Sequence, residues 1–223
     1  IVVVDYVITD GFIEVPASIT FNVGGSGVNI IGTIGNDVID ATHAPAGQPF
    51  PSAGADFING RAGDDTISGL DGNDHLVGES GMDTIWGGAG DDIIDGGSRI
   101  DTLNGRDGDD SLNGGEGDDR MNGGAGADAF DGGNGADMVD YRAASGAVTL
   151  DLNTGIHTGE AAGDTFTAVE RWLLSNASDS FFGSAAAEQV DGYDGDDALN
   201  GGGGNDSLRG LNGADTINGD GGN

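Results

Sequence analysis

Acidic side chains recur at every ninth residue along most of this chain. Sixteen nine-residue units occupy 32–40, 51–140 and 174–218, each approximating G-G-x-G-x-D-x-U-x, where U is apolar. Position six is a carboxylate in all sixteen units, and only Glu188 departs from aspartate. These candidate ligands are Asp37, Asp56, Asp65, Asp74, Asp83, Asp92, Asp101, Asp110, Asp119, Asp128, Asp137, Asp179, Glu188, Asp197, Asp206 and Asp215.

The glycines around these carboxylates predict tight turns. Position four is glycine in thirteen units, and glycine adopts positive φ angles without a steric penalty. Such a turn is expected to direct backbone carbonyl oxygens toward one point beside the carboxylate. Ca²⁺ accepts six to eight oxygen ligands in flexible geometry. The pattern therefore predicts calcium sites in the turns, with the position-six carboxylates as metal ligands.

Position eight supplies the expected core. It is apolar in all sixteen units, and side chains alternate across a strand, so positions seven to nine predict a short strand with its middle residue inside. Two units then form one coil, and turns n and n+2 stack on the same edge with calcium between them. If each stacked pair of turns holds one ion, the chain has twelve sites, including one between the turns of Asp37 and Asp56. We expect about 8–12 bound calcium ions.

Together these motifs resemble the RTX (repeats-in-toxin) family of secreted bacterial proteins. The resemblance covers 32–40, 51–140 and 174–218. It implies a parallel β-roll with calcium in its turns and export by a type I secretion system. We expect an all-β, right-handed parallel β-roll, a form of β-helix or solenoid, with a short β-rich N-terminal cap.

Four regions follow from the pattern. Residues 1–31 alternate as two or three strands and are either a cap or the tail of an upstream domain. Residues 32–140 form the first block of the roll, with a divergent coil at 41–50 that is interpreted as half a coil without a calcium site. Residues 141–173 interrupt the repeats and are expected to continue the stack. Residues 174–223 form the second block, truncated at its C-terminal end.

Composition limits the partners. The chain has 39 Asp and Glu against seven Lys and Arg, for a net charge of −32. This charge argues against nucleic acid or an anionic membrane as a partner. No apolar run approaches the length of a membrane span, so membrane insertion is not expected. The carboxylates should also repel one another, and we expect folding to depend on calcium.

Two repeats are expected to be the weakest calcium sites. Arg99 replaces the position-four glycine and places a cation in an anionic turn. Glu188 replaces aspartate in a unit whose position four is Ala186. The sequence leaves open whether either site holds calcium.

No catalytic constellation accompanies the repeats, so we expect no enzymatic activity from this chain. Neither H-E-x-x-H nor G-x-S-x-G occurs, and the pair Asp91 and Asp92 is explained by the repeat. One interpretation is a secreted, extracellular or cell-surface bacterial protein, forming a surface layer, filament or adhesin-like element. The alternative is the calcium-binding module of a secreted lipase, protease or polysaccharide epimerase.

The chain is interpreted as a processed product or a fragment, because it begins without Met and its last residues start another repeat. An uncovered final coil would expose strand edges, which invite pairing with another chain. We therefore expect either further repeats or a homo-oligomeric contact at the C-terminal end.

Overall fold

The computed structural model describes residues 27–221 and the backbone of two strands that precede them. Its strands are β1 Val2–Thr9, β2 Glu14–Phe21, β3 Asn29–Ile31, β4 Val38–Ile39, β5 Phe57–Ala62, β6 Thr66–Asp71, β7 His75–Ser80, β8 Thr84–Ala89, β9 Ile93–Ser98, β10 Thr102–Asp107, β11 Ser111–Glu116, β12 Arg120–Ala125, β13 Ala129–Asn134, β14 Met138–Asp140, β15 Thr149–Asp151, β16 Thr165–Thr167, β17 Arg171–Leu173, β18 Ser180–Phe182, β19 Gln189–Asp194, β20 Ala198–Asn200, β21 Ser207–Asn212 and β22 Thr216–Asn218. One 3-10 helix, Gly159–Ala161, is the helical element of the described residues.

Three parallel sheets build a solenoid of about nine turns, which confirms the predicted parallel β-roll. Sheet A runs β4-β6-β8-β10-β12-β14-β17-β19-β21, and sheet B runs β3-β5-β7-β9-β11-β13-β16. Sheet C, β15-β18-β20-β22, follows sheet B along the chain. The described part of the predicted 1–31 cap contains β1 and β2, an antiparallel pair, and residues 27–31 with β3; residues 1, 10–13 and 22–26 lie outside the described ranges. The described residues contain no helix with the length and hydropathy needed to cross a membrane.

Register follows the repeat. Ile67 pairs with Ile85, and the amide and carboxylate contacts between coils join residues eighteen apart. Regular strands such as β6 have six residues, not the predicted three, because they continue through positions one to three of the next unit. Pairing skips position one, where Gly69 stands between the paired Ser68 and Leu70. The extra length comes from a glycine-rich stretch that carries no apolar signal of its own.

The core is a column of position-eight side chains. From Ile39 to Val139 these residues are only 0–2% exposed, as the alternation predicts. Each such side chain contributes roughly 1.5–3 kcal/mol when fully buried. Toward the last coil the column opens: Leu208 is partly buried and Ile217 is 50% exposed.

Residues 41–50 are not half a coil. β4 pairs with β6, and the amide of Asp37 donates to Asp65 Oδ1 at 2.7 Å. The predicted stacking of Asp37 on Asp56 is therefore wrong, and Asp37 stacks on Asp65 instead. The segment leaves the coil as a loop that begins with a tight turn, closed by reciprocal backbone hydrogen bonds between Asp40 and His43. Prolines within it lack the amide hydrogen that a sheet requires.

The 141–173 segment contributes strands to the same sheets. β17 pairs with β14 on one side and β19 on the other, while β16 pairs with β13 as the last strand of sheet B. Only three residues, 168–170, join β16 to β17. In regular units six residues, such as 69–74, separate position nine of one unit from position seven of the next. The short turn lies where sheet B gives way to sheet C.

Candidate metal centre

The position-six carboxylates form three ladders along the edges of the roll. Each ladder is defined by the sheet whose strands it precedes. Ladder A contains Asp37, Asp65, Asp83, Asp101, Asp119, Asp137, Glu170, Glu188 and Asp206; ladder B contains Asp56, Asp74, Asp92, Asp110, Asp128 and Asp164; ladder C contains Asp179, Asp197 and Asp215.

In most ladder carboxylates one oxygen accepts a backbone amide of the preceding coil. The amide of Asp74 donates to Asp92 Oδ1, and the amide of Asp92 donates to Asp110 Oδ1, both at 2.8 Å. Fourteen such hydrogen bonds connect successive ladder residues. A position-six carboxylate is therefore a structural acceptor as well as a candidate ligand.

The second oxygen is buried without a partner in twelve turns. A buried acceptor without a donor costs roughly 1–3 kcal/mol, and such groups often indicate a missing ion. The twelve atoms are Oδ2 of Asp65, Asp74, Asp83, Asp92, Asp101, Asp110, Asp119, Asp128, Asp137, Asp197 and Asp206, and Oε2 of Glu188.

A carbonyl of the next coil faces the same space. A β-carbon added to Gly96 would lie 2.7 Å from Asp101 Oδ2 and 2.8 Å from the carbonyl oxygen of Gly114. We call this space a cradle; it is bounded by the position-one glycine, its own carboxylate and the position-one carbonyl of the following coil. Equivalent cradles lie at Gly69, Gly78, Gly87, Gly105, Gly114 and Gly192.

Burial makes these carboxylates hard to ionise without a cation. Burial is the main cause of their raised pKa values. The amide hydrogen bond lowers the pKa, and nearby carboxylates raise it further in the seven aspartates named next. The pKa is about 7 for Asp92, Asp101 and Asp128, and about 6 for Asp65, Asp74, Asp110 and Asp137. A bound divalent cation would favour the ionised forms.

The donor set fits Ca²⁺. Every cradle offers hard oxygen donors of the kind that calcium prefers. Each turn supplies one ladder carboxylate, and no three His, Cys, Asp or Glu side chains cluster within the described ranges. Backbone carbonyls would supply the other protein ligands, as the glycine turns predict. A bound ion would screen the repulsion between successive ladder carboxylates.

The Arg99 turn keeps the geometry of its neighbours. Arg99 has φ 86°, within the left-handed range that glycine occupies at other position-four sites, such as Gly90 at 122°. Asp101, in the same unit, is fully buried and has a free Oδ2. The substitution therefore places strain in the backbone, where an L-residue costs roughly 1–2 kcal/mol, without displacing the carboxylate.

Three turns satisfy the second oxygen from within. The Ser52 amide donates to Asp56 Oδ2 at 2.7 Å, and the Ser52 hydroxyl donates to Asp56 Oδ1 at 2.8 Å. In ordinary turns position two has positive φ, as at Leu70 (84°), whereas Ser52 does not. Serine or threonine occupies position two in these turns. The same amide contact occurs between Thr33 and Asp37, and between Ser175 and Asp179. Ser184 occupies position two as well, but its amide and hydroxyl both donate to Glu188 Oε1 and leave Oε2 without a partner.

Sequence reasoning missed two ladder members, Asp164 and Glu170. The amide of Asp128 donates to Asp164 Oδ1, and that of Asp137 donates to Glu170 Oε2, both at 2.9 Å. The sequence does contain a sign of both. Positions six to nine of a unit read carboxylate-x-apolar-x, and the same pattern occurs at 164–167 (D-T-F-T) and at 170–173 (E-R-W-L). The missing glycine turns concealed it.

The aspartates at position five form a further row of hydrogen-bonded carboxylates, which is exposed to solvent. Asp91 is exposed, and its Oδ1 accepts the amide of Asp109 at 3.1 Å. Asp64, Asp109, Asp118 and Asp196 accept equivalent amides. Here the amide of a later coil donates to the carboxylate of an earlier coil. In ladders A, B and C the amide of an earlier coil donates to the carboxylate of a later one.

Filling a cradle should abolish its calcium site. Gly96→Ala would place a methyl group against Asp101 Oδ2 and Gly114 O, so we expect weaker calcium binding and a lower melting temperature in calcium. Gly35→Ala is the matched control, because its added β-carbon meets nothing within 4 Å. Isothermal titration and thermal melts would compare them. Equal behaviour of the two variants would contradict the cradle assignment.

Mild acid should stabilise the metal-free roll. The pKa values of buried ladder aspartates are about 6–7 in the fold, against 3.8 ordinarily, so the folded chain binds more protons between these values. The stability contributed by these protonated groups is fully present below pH 3.8 and is lost as pH rises through 6–7. Circular dichroism of dilute metal-free protein should show more β structure at pH 5 than at pH 7. The reverse order would contradict the burial of the ladders.

Comparison with known proteins agrees with this geometry. The family model described as the RTX calcium-binding nonapeptide repeat (4 copies) matches residues 52–85, 68–103, 95–130, 104–139 and 191–223. These ranges together cover more than half of the chain. No curated protein matches it. The family match agrees with the nine-residue repeats, the parallel roll and the paired oxygen donors. The chain therefore belongs to the RTX calcium-binding nonapeptide repeat family.

Proposed function

We propose that this chain is the calcium-binding β-roll of a secreted bacterial protein, exported by type I secretion and folded by extracellular calcium. The observation that carries the proposal is the row of twelve buried carboxylate oxygens without a hydrogen-bond partner. Sites of this kind in extracellular modules bind calcium with a Kd on the order of 10⁻⁴–10⁻³ M. At cytosolic calcium levels the chain would then remain unfolded and competent for export.

We propose a structural role at the cell surface, as part of a surface layer, filament or adhesin-like element, and no catalytic activity. Buried carboxylates outside the ladders have structural partners. Asp140 pairs with Arg142 at 2.8 Å, and Asp191 pairs with Arg209 at 2.6 Å. The repeated coils provide a stiff spacer whose length is set by the number of units.

Calcium should also promote association of the roll with a second copy. About twelve divalent ions would offset roughly 24 of the 32 net negative charges. The edge of β22 carries Ile217, which is 50% exposed. An exposed strand edge with an apolar side chain favours pairing with another chain. We therefore place the contact at the coil formed by β21 and β22.

Light scattering tests this association. We expect the apparent mass to rise when calcium is added and to fall again after chelation. Ile217→Lys should prevent the rise, because an edge lysine opposes strand pairing. Ile34→Lys, at a residue 85% exposed near the other end, serves as the control. A strictly monomeric protein at high concentration in millimolar calcium would refute the association and leave calcium binding intact.

A further inference from the structure

A cavity of about 330 Å³ lies beside the short turn 168–170. Ladder A is interrupted here: the amide of Glu170 donates to the carbonyl of Asp137 at 3.1 Å, not to the carboxylate of Glu188. The turn is three residues shorter than a regular one, so it leaves space that a normal coil would fill. The loop after β15 and three residues of the next turn, Ser184, Ala186 and Glu188, complete the wall.

Aromatic rings form one side of this cavity. His157 packs edge-on against Phe166 with ring centroids 5.2 Å apart, and Phe166 lies edge-on to Trp172 at 6.5 Å. The cavity reaches solvent between exposed residues of the lining, among them Ala168 and Ala186. It therefore combines an apolar, aromatic wall with an accessible mouth, a combination typical of small-molecule sites.

Two residues that line the cavity carry hydrogen-bond donors without an acceptor among the described residues. Trp172 is 2% exposed, and its Nε1–H is buried without a partner. His157 accepts the amide of Asp151 at Nδ1, at 3.0 Å, which leaves its proton on Nε2. Burial lowers the pKa of His157, so the ring is neutral at pH 7. A buried indole N–H usually has a partner, which points to a ligand acceptor here.

The charges of the wall restrict the ligand class. The carboxylates of Asp164 and Glu188 line the cavity, and the chain carries a net charge of −32, so anions are disfavoured. A simple organic cation would match the rings but would offer nothing to two N–H donors. A neutral polyhydroxylated ring has an apolar face for the aromatic wall and oxygen acceptors for the donors.

We propose that this cavity binds a neutral pyranose sugar, with hydroxyl oxygens accepting hydrogen bonds from Trp172 and His157. The site shares the ladder residues Asp164 and Glu188 but is built around the aromatic rings, and it goes beyond the structural role proposed above. It would give the roll the ability to recognise a neutral glycan or a free sugar of the same chemistry.

The chain contains two tryptophans, which makes the test direct. In a Trp86→Phe background, Trp172 is the only tryptophan, and its emission reports on the cavity. Calcium-loaded protein would be titrated with methyl glycosides of glucose, galactose and mannose, and with a linear oligosaccharide of each. We expect a saturable change in emission with at least one sugar. Oligosaccharide binding would indicate recognition of a glycan, and its exclusion would indicate a site for free sugar.

Variants locate the binding. Ala186→Leu should obstruct the mouth and weaken affinity at least tenfold, whereas Ala185→Leu, on the neighbouring exposed residue, should leave it unchanged. Trp172→Phe keeps an aromatic ring but removes one donor, so we expect about threefold to tenfold weaker binding by calorimetry. Circular dichroism in calcium would verify that each variant folds.

Three results would overturn the proposal. The first is no saturable signal with any neutral sugar up to its solubility limit. The second is binding that Ala186→Leu and Ala185→Leu affect equally. The third is saturable binding of tetramethylammonium in place of sugars, which would identify a cation site.

Discussion

In excess EDTA at neutral pH, the chain should lose most of its β signal in circular dichroism. Twelve buried carboxylate oxygens would then face one another's charges without a cation. The core contributes only one inward apolar side chain per nine-residue unit, so little else opposes this repulsion. Metal binding in such a chain supplies the free energy that folding requires.

Returning calcium to the chelated chain should restore the spectrum, with a midpoint on the order of 10⁻⁴–10⁻³ M free ion. Magnesium is the matched control, because it demands near-octahedral geometry and keeps its waters. It should restore little of the signal at the same concentration. An unchanged β spectrum in EDTA would refute the coupling of calcium to folding.

Asp92→Ala should damage calcium-dependent folding far more than Asp91→Ala, although both remove one negative charge. Asp92 is 1% exposed, its Oδ2 has no hydrogen-bond partner, and its Oδ1 accepts the Asp74 amide. Its loss removes a ligand and leaves a buried amide unsatisfied, which costs roughly 1–3 kcal/mol. The hydrogen bonds that Asp91 accepts, from the Asp109 amide and from Asn73 Nδ2, are both exposed.

The calcium midpoint of folding would measure both variants. We expect a several-fold increase for Asp92→Ala and little change for Asp91→Ala. Asp92→Asn separates the two roles of the side chain: its carbonyl can still accept the Asp74 amide, but it lacks the charge of a calcium ligand. Equal midpoints for the alanine variants would show that the assigned register is wrong.

The repeat made the roll predictable because one unit specifies both a ligand and a core residue. Asp92 and Ile94 occupy their predicted positions for this reason. The prediction failed where the physical determinant lay outside the pattern. Whether 41–50 closes a half coil depends on strand pairing between distant residues, which local periodicity does not report. The ladder role of Glu170 likewise depends on a shortened turn that lacks glycine.

The role of position two was also invisible to a pattern defined by glycine and aspartate. Ser52 looks like a tolerated variant of glycine until its amide is seen to donate to Asp56 Oδ2. The cavity near Trp172 required the same knowledge of pairing, because it arises from the mismatch between a short turn and the coils that flank it.

The serine and threonine turns give the roll a direction of growth. Those at Thr33, Ser52 and Ser175 lie in the opening units of the two repeat blocks, and unlike the Ser184 turn they satisfy the second carboxylate oxygen without a cation. Once closed, such a turn presents its position-six amide to the carboxylate of the following coil, as Asp56 does to Asp74. Each block thus carries its own template, from which coils and ions should add in sequence toward the C-terminal end.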